Sequence, residues 1–219
     1  MKQLILFSLF LTPSVIANGQ VVKIQNGIGL SRLNWELNDF GNSGYDDYVV
    51  GYAGFFGVEY LSKKYFNLST SVGYIQKGGR ETTSLRPVDP SDPNAPTGEQ
   101  RNTARLNYFS WNTTVDLKYA IYEKWIPYMS LGPRVDILSS TNKALDGVKE
   151  IDALNEISYG LITGIGIKRD FTKVQIGVQA SYNVNLNQLA EWDASSINVG
   201  GKISDDTLTT LLFLSYKLK

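Results

Sequence analysis

Side chains able to do chemistry are sparse in this sequence, and most of those present sit singly among small polar residues. Glu59, Asp116, Lys118, Arg134, Asp136, Lys168 and Lys217 each fall in an alternating stretch, on the face opposite its apolar residues. Asp116 and Lys118 are two residues apart, as are Arg134 and Asp136, so each pair lines one face of a strand. The chain has neither His nor Cys. Their absence removes Ser-His-Asp and Cys-His nucleophilic centres and the usual zinc sites. Carboxylates alone can carry acid–base catalysis, but no spacing here forces two of them together. The expected chemistry is mutual pairing, since charges turned away from water are tolerated only when partnered. These seven residues are therefore expected to form a charge network that holds an interior together, with no catalytic, cofactor or metal site.

The elements that must position them are strands. In KVQIGVQASYNVNL (Lys173 to Leu186), Val174, Ile176, Val178, Ala180, Tyr182 and Val184 share one face. Gln175, Gly177, Gln179, Ser181, Asn183 and Asn185 share the other. The same alternation marks GYAGFFGVEY, YFNLSTSVGYIQ, LNYFSWNTTVDLKY, PYMSLGPRVDIL, ISYGLITGIGIK and TLTTLLFLSYKL. A less regular first strand runs from about Val22 to Trp35. Eight strands result, with no competing helix.

Their connections alternate in length. Leu61–Lys64, Ala120–Lys124 and Arg169–Lys173 are tight turns; Glu36–Val50, Lys77–Thr103, Ser139–Asn155 and Asn187–Asp206 are long. Short turns at one rim and long loops at the other are the construction of outer-membrane barrels. The second long connection contains RPVDPSDPNAP, Arg86 to Pro96, whose prolines and aspartates deny it both helix and ladder. Around it stand Arg80, Arg86, Arg101 and Arg105, loop charges that a partner could contact.

Ahead of the strands, Lys2 is followed by the apolar run Leu4–Leu11 and a small-residue exit, the pattern of a secretory signal peptide over residues 1–20. Cleavage after Ala17 or after Gly19 fits equally. A single domain over residues 21–219 follows. Lys plus Arg and Asp plus Glu balance at 21 each, so no basic excess points to nucleic acid.

Two environments could receive the apolar faces. A soluble lipocalin-like barrel would turn them inward around a small apolar ligand. A membrane barrel would turn them to lipid. The opposite faces decide between them: they carry Gly, Ser, Thr, Asn and Gln with few charges, which suits a crowded lumen better than a water-exposed surface. Aromatic residues also form two bands. Tyr60, Tyr65, Phe66, Tyr119, Tyr122, Trp125 and Phe171 lie at the short turns. Tyr45, Tyr48, Tyr52, Tyr74, Phe109, Trp111, Tyr159 and Tyr182 lie toward the long loops, as two membrane interfaces require. The expected fold is all-β: an eight-stranded antiparallel up-and-down transmembrane β-barrel embedded in the outer-membrane lipid of a Gram-negative cell.

The segments Gly51–Gly79, Leu106–Tyr119 and Pro127–Leu138 resemble the small Bacteroidetes-type outer-membrane barrels that include PorT-like proteins. ISYGLITGIGIK and VQIGVQASYNVNL extend the resemblance through the next two strands. The resemblance implies a barrel in the outer membrane and little about activity. Some relatives serve secretion or gliding machinery, so an envelope protein contacting the loops or the periplasmic turns is the partner it implies.

Overall fold

The computed structural model describes residues 21–37, 41–42, 45–85, 98–119, 124–145, 154–193 and 200–218. The expected signal peptide over residues 1–20 and the proline-rich Arg86–Pro96 stretch lie outside the described residues, as does Tyr122. Ten strands follow in chain order: β1 (Val21–Leu37), β2 (Gly41–Asn42), β3 (Val49–Ser62), β4 (Phe66–Leu85), β5 (Gly98–Lys118), β6 (Trp125–Thr141), β7 (Ile157–Asp170), β8 (Val174–Asn185), β9 (Ala190–Trp192) and β10 (Gly201–Lys217). β2 and β9 are short flaps paired to the outer ends of β1 and β10. The other eight form a ring in the order β1-β3-β4-β5-β6-β7-β8-β10, closed by an antiparallel β10–β1 ladder. Closure leaves no long edge with unpaired backbone groups, which is what a sheet in hydrocarbon requires. Val21 and Lys217 face each other in that ladder, so both ends of the barrel's strand sequence lie at the short-turn rim.

Through the middle of the wall the apolar residues point outward. Leu212, Met129, Ile165 and Leu117 are each more than 60% exposed, with Tyr52, Phe56, Phe109 and Ile176 close behind. The inward face there is largely polar: Gln25, Ser71, Ser110, Gln179, Ser181 and Thr209 are all buried, with Phe55, Ile75, Ile162 and Leu211 set among them. The membrane-level interior is thus the reverse of a lipocalin's, and the soluble reading fails on this point.

Strands are longer than the apolar alternation suggests. β4 and β5 stay paired from Phe66↔Leu117 to Leu85↔Gly98, so most of the expected Lys77–Thr103 loop is a hairpin standing above the membrane. Likewise Gly201–Asp206, expected in a loop, continues β10 against β1. The backbone ladder persists beyond the point where lipid stops selecting apolar outward residues.

Above that point the wall inverts. On β1 the outward side passes from Ile24, Ile28 and Leu30 to Arg32, Asn34 and Glu36, while the inward side passes from Lys23, Gln25 and Ser31 to Leu33. On β10 Leu212 and Leu208 give way outward to Asp206 and Lys202, and Thr207 and Asp205 give way inward to Ile203. β5 changes from Trp111 and Phe109 to Asn107 and Arg105 outside, and from Ser110 to Tyr108, Leu106 and Ala104 inside. The inward residues at this end join an apolar core with Leu145, Leu189 and Ala190 from the connecting segments; Trp35, Tyr45, Leu154 and Trp192 pack against it. Backbone hydrogen bonds tie these segments down: Leu33 N–H donates to the Tyr45 carbonyl (3.2 Å) and Leu189 N–H to that of Ile203 (2.8 Å). Tyr45, expected in the outer aromatic band, instead sits 5.5 Å from the Trp35 ring as part of this cap. Burial there, with the Glu81 carboxylate nearby, pushes its phenol above the ordinary range.

Candidate functional site: the charged lumen

The seven charges anticipated from the sequence divide between two levels. Near the short-turn rim, Lys168 Nζ lies 3.1 Å from Glu59 Oε1. The other Glu59 oxygen accepts from Asn67 Nδ2 at 3.0 Å, and Asn67 Oδ1 in turn accepts from Lys118 Nζ at 2.6 Å. Lys118 is therefore held by an amide and by Ser62 Oγ (3.0 Å) rather than by a carboxylate. Asp116 is buried with no cation in ion-pair contact among the described residues; its Oδ1 accepts from Thr114 Oγ1 at 3.1 Å. Lys217 stands apart at the half-exposed rim, paired with Asp170 at 2.5 Å.

Arg134 and Asp136 lie deeper, in a second cluster whose centre the sequence analysis missed. Lys77 Nζ is 2.9 Å from Asp136 Oδ2 and 2.9 Å from Asp205 Oδ2, with both side chains of the first pair fully buried. Arg134 Nη1 is 3.3 Å from Asp136 Oδ2. Its Nη2 donates to Asn185 Oδ1, while Asn185 Nδ2 donates to Asp205 Oδ1 at 2.6 Å and so closes the circuit. Tyr108 covers Lys77 with its ring, 5.0 Å from the ammonium to the centroid. Three strands supply the four charges: β4, β6 twice and β10. Lys23, buried beside the Phe213 ring at 5.6 Å, also escaped the sequence analysis.

Between the two levels the lumen is filled. Tyr128 and Phe213 meet edge to face at 6.3 Å, each lying over a cross-strand glycine, Gly166 and Gly177. A Cβ on either glycine would run into the ring that covers it, so the clasp needs glycine at both. Tyr128 donates to Gln179 Oε1 (3.1 Å), and Gln179 Nε2 donates to Ser130 Oγ (3.3 Å). The cavity left at this level measures about 20 Å³, lined by residues that include Lys23, Gln25, Asn112 and Arg134. A water needs ~10–15 Å³, so this cavity holds about one. No group of three or more carboxylates with metal-binding geometry occurs among the described residues.

Of the arginines at the second long connection, Arg101 pairs with Glu99 at 3.0 Å and Arg105 donates through Nη1 to Gln76 Oε1 at 2.5 Å. Arg80 bridges its backbone to Asp47. Arg86 lies outside the described residues. Among the described residues, Arg80, Arg101 and Arg105 are spread along the hairpin and share no partner.

A closed ring with apolar walls at lipid level, a polar packed lumen and long connections on one side defines an integral outer-membrane β-barrel. Residues 21–191 match the family described as the outer membrane protein beta-barrel domain, and the chain belongs to it. Among solved structures it is similar to OprG of Pseudomonas aeruginosa, with a TM-score of 0.54 and 10% identity over 92% of this chain and 97% of that one. Neisserial surface protein A aligns at a TM-score of 0.46 and 11% identity, covering 90% and 97% of the two chains. Ail, the attachment invasion locus protein of Yersinia pestis, aligns at 0.41 and 13%, covering 91% and 99%. No curated protein matches the chain by sequence. The fold and family place the protein in the outer membrane of a Gram-negative cell.

Proposed function

We propose that the protein is a non-enzymatic, non-conducting barrel that displays its outer segments as a folded surface to another component of the envelope. The observation that carries this reading is the apolar cap around Leu33, Leu106 and Ile203, which fastens the connecting segments to the barrel wall above a lumen with room for about one water. Glu59, Arg134, Asp136 and Lys168 act in this scheme as interior adhesive, together with Lys77 and Asp205. Lys118, Asp116 and Lys217 extend the adhesive toward the periplasm. The mechanism is presentation: a rigid barrel fixes the β4–β5 hairpin and the capped segments outside the membrane.

The resemblance of Gly51–Gly79, Leu106–Tyr119 and Pro127–Leu138 to PorT-like barrels supports the finer assignment, a role in secretion or envelope assembly. Photo-crosslinking in intact cells from Thr82 and Arg101 on the outer hairpin, and from Lys64 at a periplasmic turn, tests it. A reproducible envelope-protein adduct is expected. Planar-bilayer recordings should show no stable channels, and reproducible conductance would overturn the closed-lumen reading.

A further inference from the structure

The lipid-facing wall is not uniform. Across β5 to β8, near the short turns, it sinks into an apolar groove of about 820 Å³. That size lies within the ~300–1,000 Å³ typical of ligand pockets. The floor is two rows of outward residues set by the strand register. One row runs Pro127, Ile167 and Val178; the next runs Leu117, Met129, Ile165 and Ala180. Small side chains at Pro127 and Ala180 make the depression, and Tyr65 and Tyr119 border it.

Directly below, one residue pair nearer the periplasm, the register places Trp125 beside Arg169. Along a strand that two-residue step is ~7 Å, which sets Arg169 at the periplasmic edge of the groove. Arg169 lies over two aromatic rings at once, its guanidinium carbon 5.4 Å from the centroids of both Trp125 and Phe171. Lys64 sits 5.1 Å over the ring of Tyr65, the residue at the edge of the groove. Lys63, Lys124 and Lys173 are exposed at the same rim. None of these five cations is within ion-pair distance of a carboxylate among the described residues. At the opposite rim Arg32, Arg101 and Lys202 are paired with Asp206, Glu99 and Glu36, while Arg105 donates to Gln76; at the short-turn rim Lys217 is paired with Asp170.

We infer that this groove and its cationic edge bind one anionic glycerophospholipid from the periplasmic leaflet, with acyl chains on the Pro127–Ala180 floor and the phosphate between Arg169 and Lys64. Charge complementarity selects the occupant. Unpaired cations held on aromatic platforms at headgroup depth favour a net-negative headgroup over a zwitterionic one. The inference goes beyond the display role and stands whether or not an envelope partner exists.

Native mass spectrometry of the full-length mature barrel, released from detergent with equimolar phosphatidylglycerol and phosphatidylethanolamine, tests it. The expected result is one retained lipid, with phosphatidylglycerol preferred at least tenfold. Arg169→Gln combined with Lys64→Gln should erase that preference, and Ala180→Phe should cut retention of both lipids. All three substitutions face outward, and the gel shift of unboiled against boiled protein verifies that each variant is folded. Equal retention of the two lipids by the wild type would overturn the proposal. So would a preference that survives the double substitution, or a dimer that buries the groove.

Discussion

At the level of Gln25, Ser110 and Gln179 the barrel is apolar outside and largely polar inside, with Phe55, Leu211 and Phe213 set among the polar groups; at Leu33, Leu106 and Ile203, further toward the long connections, the outside is polar and the inside apolar. The backbone does not change between the two regions. Pairing continues in register along β1 and β10, and side chains keep pointing alternately in and out. What changes is the solvent. In the lower region lipid rewards apolar surface and the lumen must accept polar groups. In the upper region water surrounds the wall, and the interior becomes an ordinary hydrophobic core. The crossover, near Leu30 and Arg32 on β1 and near Leu208 and Asp206 on β10, therefore marks the outer edge of the hydrocarbon. Arg32 and Asp206 meet there at 3.1 Å, and Asp206 also accepts from Tyr182 at 2.7 Å, a polar clasp on the outside of the wall.

The largest test of this contrast removes the ion at the junction of the two regions. Lys77→Met leaves Asp136 and Asp205 buried without their shared cation, and loss of one partner from a buried pair costs ~3–5 kcal/mol. Urea unfolding in micelles, followed by tryptophan fluorescence, should show a loss on that scale. Arg134→Leu should lower the unfolding temperature by less, because Asp136 keeps Lys77; an unchanged transition would mean that Arg134 is not part of the buried network.

In the cap, Leu33→Ala removes a fully buried side chain at a cost of ~2–5 kcal/mol. Its effect should be local. Hydrogen exchange should quicken in residues 189–192 and 201–203 while the mid-barrel amides stay protected. Uniform loss of protection would show the two regions to be one cooperative unit.

Lysine substitutions on the outer surface place the boundary itself. Leu212→Lys puts a charge at mid-wall, where lipid exposure costs ~2–4 kcal/mol. Ser204→Lys, outward on the same strand but above the crossover, should stay within ~0.5 kcal/mol of wild type. Equal penalties would erase the proposed level.

The smallest effect is expected at the exposed Glu36–Lys202 pair, 2.8 Å apart. Its hydrogen bond raises the lysine's affinity for its proton, yet a pair in open water contributes little. Glu36→Gln should leave the unfolding midpoint unchanged.

The same contrast explains which parts of the molecule the sequence made legible. Alternation of constant phase located all eight ring strands, because each presents one apolar face through the membrane. It ended them too early wherever the phase reverses. Along β1 the apolar residues are even-numbered from Val22 through Leu30 and odd-numbered from Leu33, so a reader following one phase meets apparent noise at the crossover. Lys77 and Asp205 sit at that crossover on β4 and β10, which is why they were read as loop residues. Lys23 was lost because Asn26 and Gly27 interrupt the alternation of β1. Glu59, Arg134, Asp136 and Lys168, all inside the regular stretch, are buried on the inward face. Their partners were not legible, since pairing across the barrel depends on strand tilt and on residues from distant strands.

The β10–β1 seam carries one more consequence, for assembly. Every residue of β1 from Val21 to Leu37 has its partner on the last strand of the ring, so this ladder joins segments nearly the whole chain apart. Loop-closure entropy is lost before such contacts form, which places the seam among the slowest steps to reach. Until it zips, β1 and β10 are two open edges, and the Lys77–Asp205 contact, which spans from β4 to β10, has no counter-ion on one side. Substitutions at Asp205 should therefore retard refolding more than they hasten unfolding if that contact forms as the ring closes.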